Sequence, residues 1–188
     1  IDQSIFTSVQ SERRSGYQLA AKSPGIGEQE ERELSLWGPS HDSLTDNSRS
    51  ASSVQMHLSE GGRICISKTV LAGQEFSERK GERVYTHSLI VPRDVFGKFS
   101  CNPFAILRAA IAVGSLDVHD PVPELLDSLR LTGRAAPIDH ELLLELVEKY
   151  GELRLAALLD SLIHETRPVV VVLGESREKL VEGLLNCL

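Results

Sequence analysis

The stretch that most constrains this chain lies near its middle: Arg83-Val84-Tyr85-Thr86-His87-Ser88-Leu89-Ile90-Val91-Pro92. β-Branched, aromatic and apolar residues are dense enough here to predict a strand. Strand alternation puts Tyr85, His87, Leu89 and Val91 on one face and Val84, Thr86, Ser88 and Ile90 on the other. Both faces carry apolar surface and both need covering, which places the strand in the interior of a sheet. Pro92 has no amide hydrogen to give to a ladder and marks where pairing stops.

The sequence before this strand reads as hairpins. Residues 1–10 alternate, 11–16 form a polar turn with Gly16 available for positive φ, and 17–22 alternate again before Ser23-Pro24-Gly25. Residues 28–37 predict a short helix with Leu34 and Trp37 on one face, broken by Gly38-Pro39. Its acid cluster, Glu28, Glu30, Glu31 and Glu33, is expected to be a solvated face near the positive end of the helix dipole. A polar loop covers 40–53. Residues 54–58 and 64–70 flank Gly61-Gly62, with Val54, Met56 and Leu58 matching Ile64, Ile66 and Val70 across a hairpin.

After Pro92 the period changes to that of helices. A helical turn is expected over 94–99, then a helix opened by Pro103 at its first position, carrying Phe104, Leu107, Ala110 and Ile111, and stopped by Gly114. Pro121-Val122-Pro123 is read as opening another helix over 124–131. Asp139 caps a run over 140–150, Gly151 interrupts it, and 152–164 continues. Residues 169–173 predict a strand buried on both faces, and 177–188 a last helix with Leu180, Val181, Leu184 and Leu185 inward. The fold class is α+β: a largely antiparallel sheet from two hairpins and a central strand, followed by a helix-rich half with one further buried strand. Residues 1–188 are read as one domain, with 1–92 sheet-rich and 93–188 helix-rich. The last helix keeps its apolar spacing to the final residue with nothing to cap it. It predicts that this is the N-terminal part of a longer protein, whose downstream domains, or a partner, dock against Leu184 and Leu188.

A net charge of −7 argues against a broad nucleic-acid or anionic-lipid surface. No apolar run is long enough to cross a bilayer as a helix. The three cysteines, Cys65, Cys101 and Cys187, include no Cys-x-x-Cys pair, which removes the zinc ribbon and the redox dithiol and predicts reduced, buried thiols in the cytoplasm. No cofactor or metal is expected. Arg13-Arg14, in the first turn, is the basic pair placed to meet an acidic partner.

No catalytic motif stands out. Gly174-Glu175-Ser176 enters a predicted helix from a strand, but has one glycine and a carboxylate that repels phosphate. His57, His87 and Asp42 lack the spacing of a hydrolase triad. His87 on its apolar strand is expected to be a hydrogen-bonded core histidine. The alternative reading is a hydrolase or nucleotide-binding enzyme with a site near His57 and His87.

Three segments together carry a resemblance: 10–26, containing Gly16-Tyr17-Gln18-Leu19-Ala20-Ala21-Lys22-Ser23-Pro24-Gly25; then Tyr85-Thr86-His87-Ser88-Leu89-Ile90-Val91; then Asn102-Pro103-Phe104. They resemble the N-terminal domain of the bacterial GTPase-associated protein family over roughly the first half of the chain. The resemblance implies an N-terminal module of a multidomain protein encoded with a GTPase and serving signalling or conflict systems. Its partners would be that GTPase or its associated proteins. It carries over no catalytic residue, so the expected function is a non-catalytic regulatory or scaffolding module acting through protein–protein contacts.

Overall fold

The computed structural model describes residues 1–10, 15–39, 52–75, 81–133, 138–164 and 177–187. β1 (Asp2–Gln10) and β2 (Ser15–Lys22) form the first hairpin, β3 (Ser52–Leu58) and β4 (Ile64–Gln74) the second. β5 (Glu82–Val91) pairs antiparallel with β1 on one side and β4 on the other, giving a five-stranded sheet in the order β2-β1-β5-β4-β3. The architecture is α+β as expected, with the fifth strand at the centre and buried from Arg83 to Val91.

Helix α1 (Glu28–Leu36) covers one face, where Ile26 and Leu34 pack on Cys65 and Ile90. Hydroxyls fill the middle of that face: Ser67 Oγ meets Ser88 Oγ at 2.8 Å and Thr69 Oγ1 meets Thr86 Oγ1 at 2.9 Å. Helices α2 (Arg93–Lys98) and α3 (Pro103–Ala112) cover the other face, bringing Phe99, Phe104, Ile106, Leu107 and Ala110 onto Ile66, Leu89 and Val91. Pro103 occupies the start of α3, and Asn102 Oδ1 accepts from the amides of Phe104 (3.0 Å) and Ala105 (3.1 Å).

The helix expected over 124–131 does not form. This segment is a strap over the end of the first hairpin: Leu125 bridges Lys22, Leu126 N donates to Lys22 O (3.3 Å), and Leu129 exchanges hydrogen bonds with Ile1 (2.8 and 3.0 Å). Pro121 and Pro123 hold the residues before them out of the α region. Leu126, Leu129 and Leu131 then pack on the core clusters of the sheet.

The acid cluster of α1 is likewise not a solvated face. Glu28 is exposed, but Arg63 donates from Nε to Glu30 Oε1 (2.7 Å), from Nη2 to Glu30 Oε2, and from Nη1 to Asp2 Oδ2 (2.6 Å). Glu31 pairs with Lys22 at 2.5 Å. Burial pushes the Asp2 carboxyl up, but hydrogen bonds from Ser128 and Arg63 outweigh it and hold the group below its ordinary range. These bonds fasten α1 to the sheet.

α4 (His140–Tyr150) and α5 (Glu152–His164) are separated by Gly151, whose φ of 84° favours glycine. Asp139 Oδ1 accepts from Leu142 N at 3.0 Å, the predicted cap. α6 (Arg177–Leu185) packs on α4 through Leu142, Leu146, Leu180 and Leu184. Leu184 is 7% exposed, which corrects the expectation that it lies on an open docking surface: α4 already covers it. Leu188 and the predicted strand over 169–173 lie outside the described residues, as do Arg13, Arg14, Asp42 and 174–176. Leu144, Leu153 and Ile163 point outward. Cys65 is buried, and burial pushes its thiol up to about 11. Cys101 and Cys187, expected to be buried, are exposed in the turns that follow α2 and α6. No described helix is long and apolar enough to cross a membrane.

His87, 2% exposed, is the core histidine the sequence predicts. Its Nε2 lies 3.0 Å from Gln3 Oε1, which also accepts from Ser115 Oγ at 2.6 Å, while Gln3 Nε2 donates to Asp127 O at 2.6 Å. An amide oxygen can only accept, so Nε2 carries a proton. Burial, with His119 nearby, pushes its pKa down to about 4.

Two outcomes follow from this packing. Leu184→Ala should cost about 2–4 kcal/mol in urea unfolding, whereas Leu153→Lys should stay within about 0.5 kcal/mol; equal effects would show that α6 is not docked on α4. The second concerns pH. The unfolded chain protonates a histidine near its ordinary value of 6.5, while native His87 stays neutral down to about 4. Stability therefore falls as pH drops through that window, by on the order of 3 kcal/mol at its acid end. His87→Gln should flatten the slope measured between about pH 7 and pH 5, above most carboxylate titration. An unchanged slope would place the proton uptake elsewhere.

Candidate functional site

The two histidines on which the enzymatic reading rested do not meet. His57 pairs with Cys65, and His87 with Lys68, three residues further along β4. Strand alternation therefore sets them on opposite faces of the sheet. His87 is buried beside Gln3, its hydrogen-bond partner, which Ser115 and Asp127 hold in turn. His57 opens instead into a groove of about 640 Å³ between α1 and the end of the β3–β4 hairpin, lined by Gln29, Arg32, Glu33, Leu36, Trp37, Leu58 and Glu60.

The groove is built by two local features. α1 runs out at Trp37, and the chain turns at Gly38 against the ring of Phe6; a Cβ there would sit 2.6 Å from that ring, so glycine is required. Trp37 is thereby laid over His57, with ring centroids 5.4 Å apart and planes 30° apart. On the other side, Gly62 takes a φ of 76° to close the β3–β4 turn. This sets Glu60 opposite α1: its amide donates to Glu33 Oε2 (3.1 Å) and its carboxylate accepts from Gln29 Nε2 (2.5 Å).

Glu33 Oε1 lies 3.4 Å from His57 Nε2. The alignment is too poor for a hydrogen bond, and among the described residues neither ring nitrogen has a partner. Behind Trp37 the groove meets a small cavity lined by Ser4, Ser67, Thr86 and Ser88, with about 10 Å³ open to a water's centre. Ser4 and His57 both line it, and their Oγ and ring nitrogens have no hydrogen-bond partner among the described residues. A carboxylate beside a histidine is half of an acid–base constellation, but no hydroxyl or thiol among the described residues is hydrogen-bonded to His57 to serve as nucleophile. Cys65, its neighbour across the strands, has a thiol raised well above neutrality. No group of described residues has the geometry to hold a metal ion.

What the arrangement offers is a surface. Leu36 is 82% exposed and Trp37 and Leu58 about half exposed. Along the same edge Val54, Met56 and Leu58 share one side of β3, and Met56 is 43% exposed because α2 and α3 cover β4 and β5 but do not reach it. The sequence reading named none of Glu33, Leu36, Trp37 or Glu60 as a site. A lone tryptophan immediately before Gly38-Pro39 was the available signal, and it was read as helix packing.

No curated protein and no solved structure matches the chain. The family model for the GTPase-associated protein 1, N-terminal domain type 2, matches residues 1–128, which spans the sheet, α1 to α3 and the strap as far as Ser128. The chain belongs to that family of GTPase-associated protein N-terminal domains.

Proposed function

We propose that this domain is a non-catalytic regulatory or scaffolding module of a bacterial GTPase-associated signalling or conflict system, acting in the cytoplasm by binding a protein partner. That partner is the GTPase itself or a protein working with it. The observation that carries the reading is the groove at the β3 edge: exposed Leu36, Trp37 and Leu58 surround a carboxylate and a histidine that have no nucleophile hydrogen-bonded to them. Exposed aromatic and aliphatic side chains of this kind are the usual anchors of protein interfaces. Arg13 and Arg14 remain candidates for a second contact with an acidic partner.

The enzymatic alternative retains His57 and Glu33, 3.4 Å apart in an open groove. The two readings separate in one experiment. The domain and a GTPase encoded beside it are co-expressed, and capture is measured together with nucleotide hydrolysis by the isolated domain. Capture that falls about tenfold or more with Trp37→Ala, with no hydrolysis by the isolated domain, is the expected result. Hydrolysis abolished by His57→Ala, or capture indifferent to Trp37, would overturn the proposal.

A further inference from the structure

The two edges of the sheet are treated differently. At the β2 edge the strap supplies a bridge to Lys22 and a hydrogen bond to its carbonyl. At the β3 edge, among the described residues, no strand or strap pairs with the outer side. Exposed edges are ordinarily protected by a proline, a charged residue or a bulge. β3 has none of these: Ser-Ser-Val-Gln-Met-His-Leu carries no proline and no lysine, arginine or acid, and its register with β4 runs without a shift from Ser52 to Leu58. Val54, Met56 and Leu58 add an exposed apolar row at the spacing of two that an added strand would continue.

We propose that β3 is completed by strand addition. An extended segment of a partner protein, apolar at alternate positions and bearing a lysine or arginine, pairs with the outer edge of β3. Its cationic group enters the groove against Glu33 and Glu60, beside the Trp37 ring. Charge selects this occupant. The two groove carboxylates outnumber its one cation, Arg32, which is already turned to Glu28 at 3.4 Å. Glu33 Oε1 is an acceptor without a good donor, and an ammonium or guanidinium supplies donors only. The indole face adds a cation–π contact. A second copy of this chain is the poorer occupant, because each copy brings a net charge of −7. The inference rests on the docking reading above and specifies its mode.

The single tryptophan of the chain is Trp37, so its emission reports on the groove directly. The probes are two synthetic peptides of about nine residues that alternate valine with threonine, one with a central lysine and the other with glutamate in its place. The lysine peptide should shift Trp37 emission saturably, bind about tenfold or more tightly than the glutamate peptide, and weaken with salt. Met56→Asp should abolish binding, Glu60→Gln with Glu33→Gln should erase the preference for lysine, and Leu153→Asp, far from this edge, should change nothing. Equal affinity for the two peptides, no binding by either, or indifference to Met56→Asp would overturn strand addition. A dimer in light scattering that Met56→Asp dissociates would also overturn it, in favour of a second copy. The two proposals fail separately. A GTPase captured equally by the wild type and Met56→Asp leaves the docking reading intact and removes strand addition. Lysine-peptide binding without capture of the GTPase does the reverse.

Discussion

The structure depends on β5 being buried on both faces. A strand paired on both sides has no free backbone groups, so its remaining demand is for cover above and below. The chain supplies the two covers from different places. α1 sits in the loop between the hairpins and closes the Ile90 face; α2, α3 and the strap follow β5 directly and close the Leu89 face. The two faces are filled by different chemistry. The Leu89 side is a continuous apolar core, whereas the centre of the other side is a set of hydroxyl pairs across β4 and β5. Paired hydroxyls tolerate burial because each satisfies the other. They also leave the face thinner than leucines would, and the cavity behind Trp37 follows from that.

How much of this was legible in the sequence divides by range. Both hairpins, the central strand, Pro103 at the start of its helix, the Asp139 cap and the Gly151 break are written in neighbouring residues, and the structure follows them. Segment 124–131 failed because its leucines suit either a helix or a strap. The partner that decided between them, the open end of the first hairpin at Ile1 and Lys22, is more than a hundred residues away in sequence. The glutamates of α1 failed for the same reason. A carboxylate looks solvated until Arg63, from a different hairpin, is brought beside it.

The site was less legible still. His57 and His87 invited joint reading because histidines are few, yet strand parity separates them, and parity across paired strands is known only once the register is known. The Val54, Met56 and Leu58 row is a correct strand pattern, and the hairpin read from it forms. Alternation says which residues share a face, but not whether that face is covered, and here the helices stop one strand short. An apolar row left exposed at an edge that no described strand or strap pairs, beside a groove with a poorly satisfied carboxylate, is costly for a domain that works alone. It is reasonable for one that works against a partner.

The same long-range logic joins the helical part beyond the family match to the part within it. Asn102 caps α3 through its side-chain oxygen and uses its amide nitrogen to donate to Glu182 Oε1 at 2.8 Å. Arg108, one face along α3, donates to both oxygens of Glu182, at 2.5 and 3.0 Å. Burial alone would raise the Glu182 carboxyl, but Arg108 and Asn102 outweigh it and hold the group ionised. The contact is local in charge and specific in geometry, since a bidentate guanidinium accepts only one orientation of α6. Leu185 then reaches the main core while Leu180 and Leu184 close against α4. The asparagine of the Asn-Pro-Phe turn thus serves two ends at once: it starts the helix that covers β5, and it fixes the helix through which the C-terminal cluster is attached.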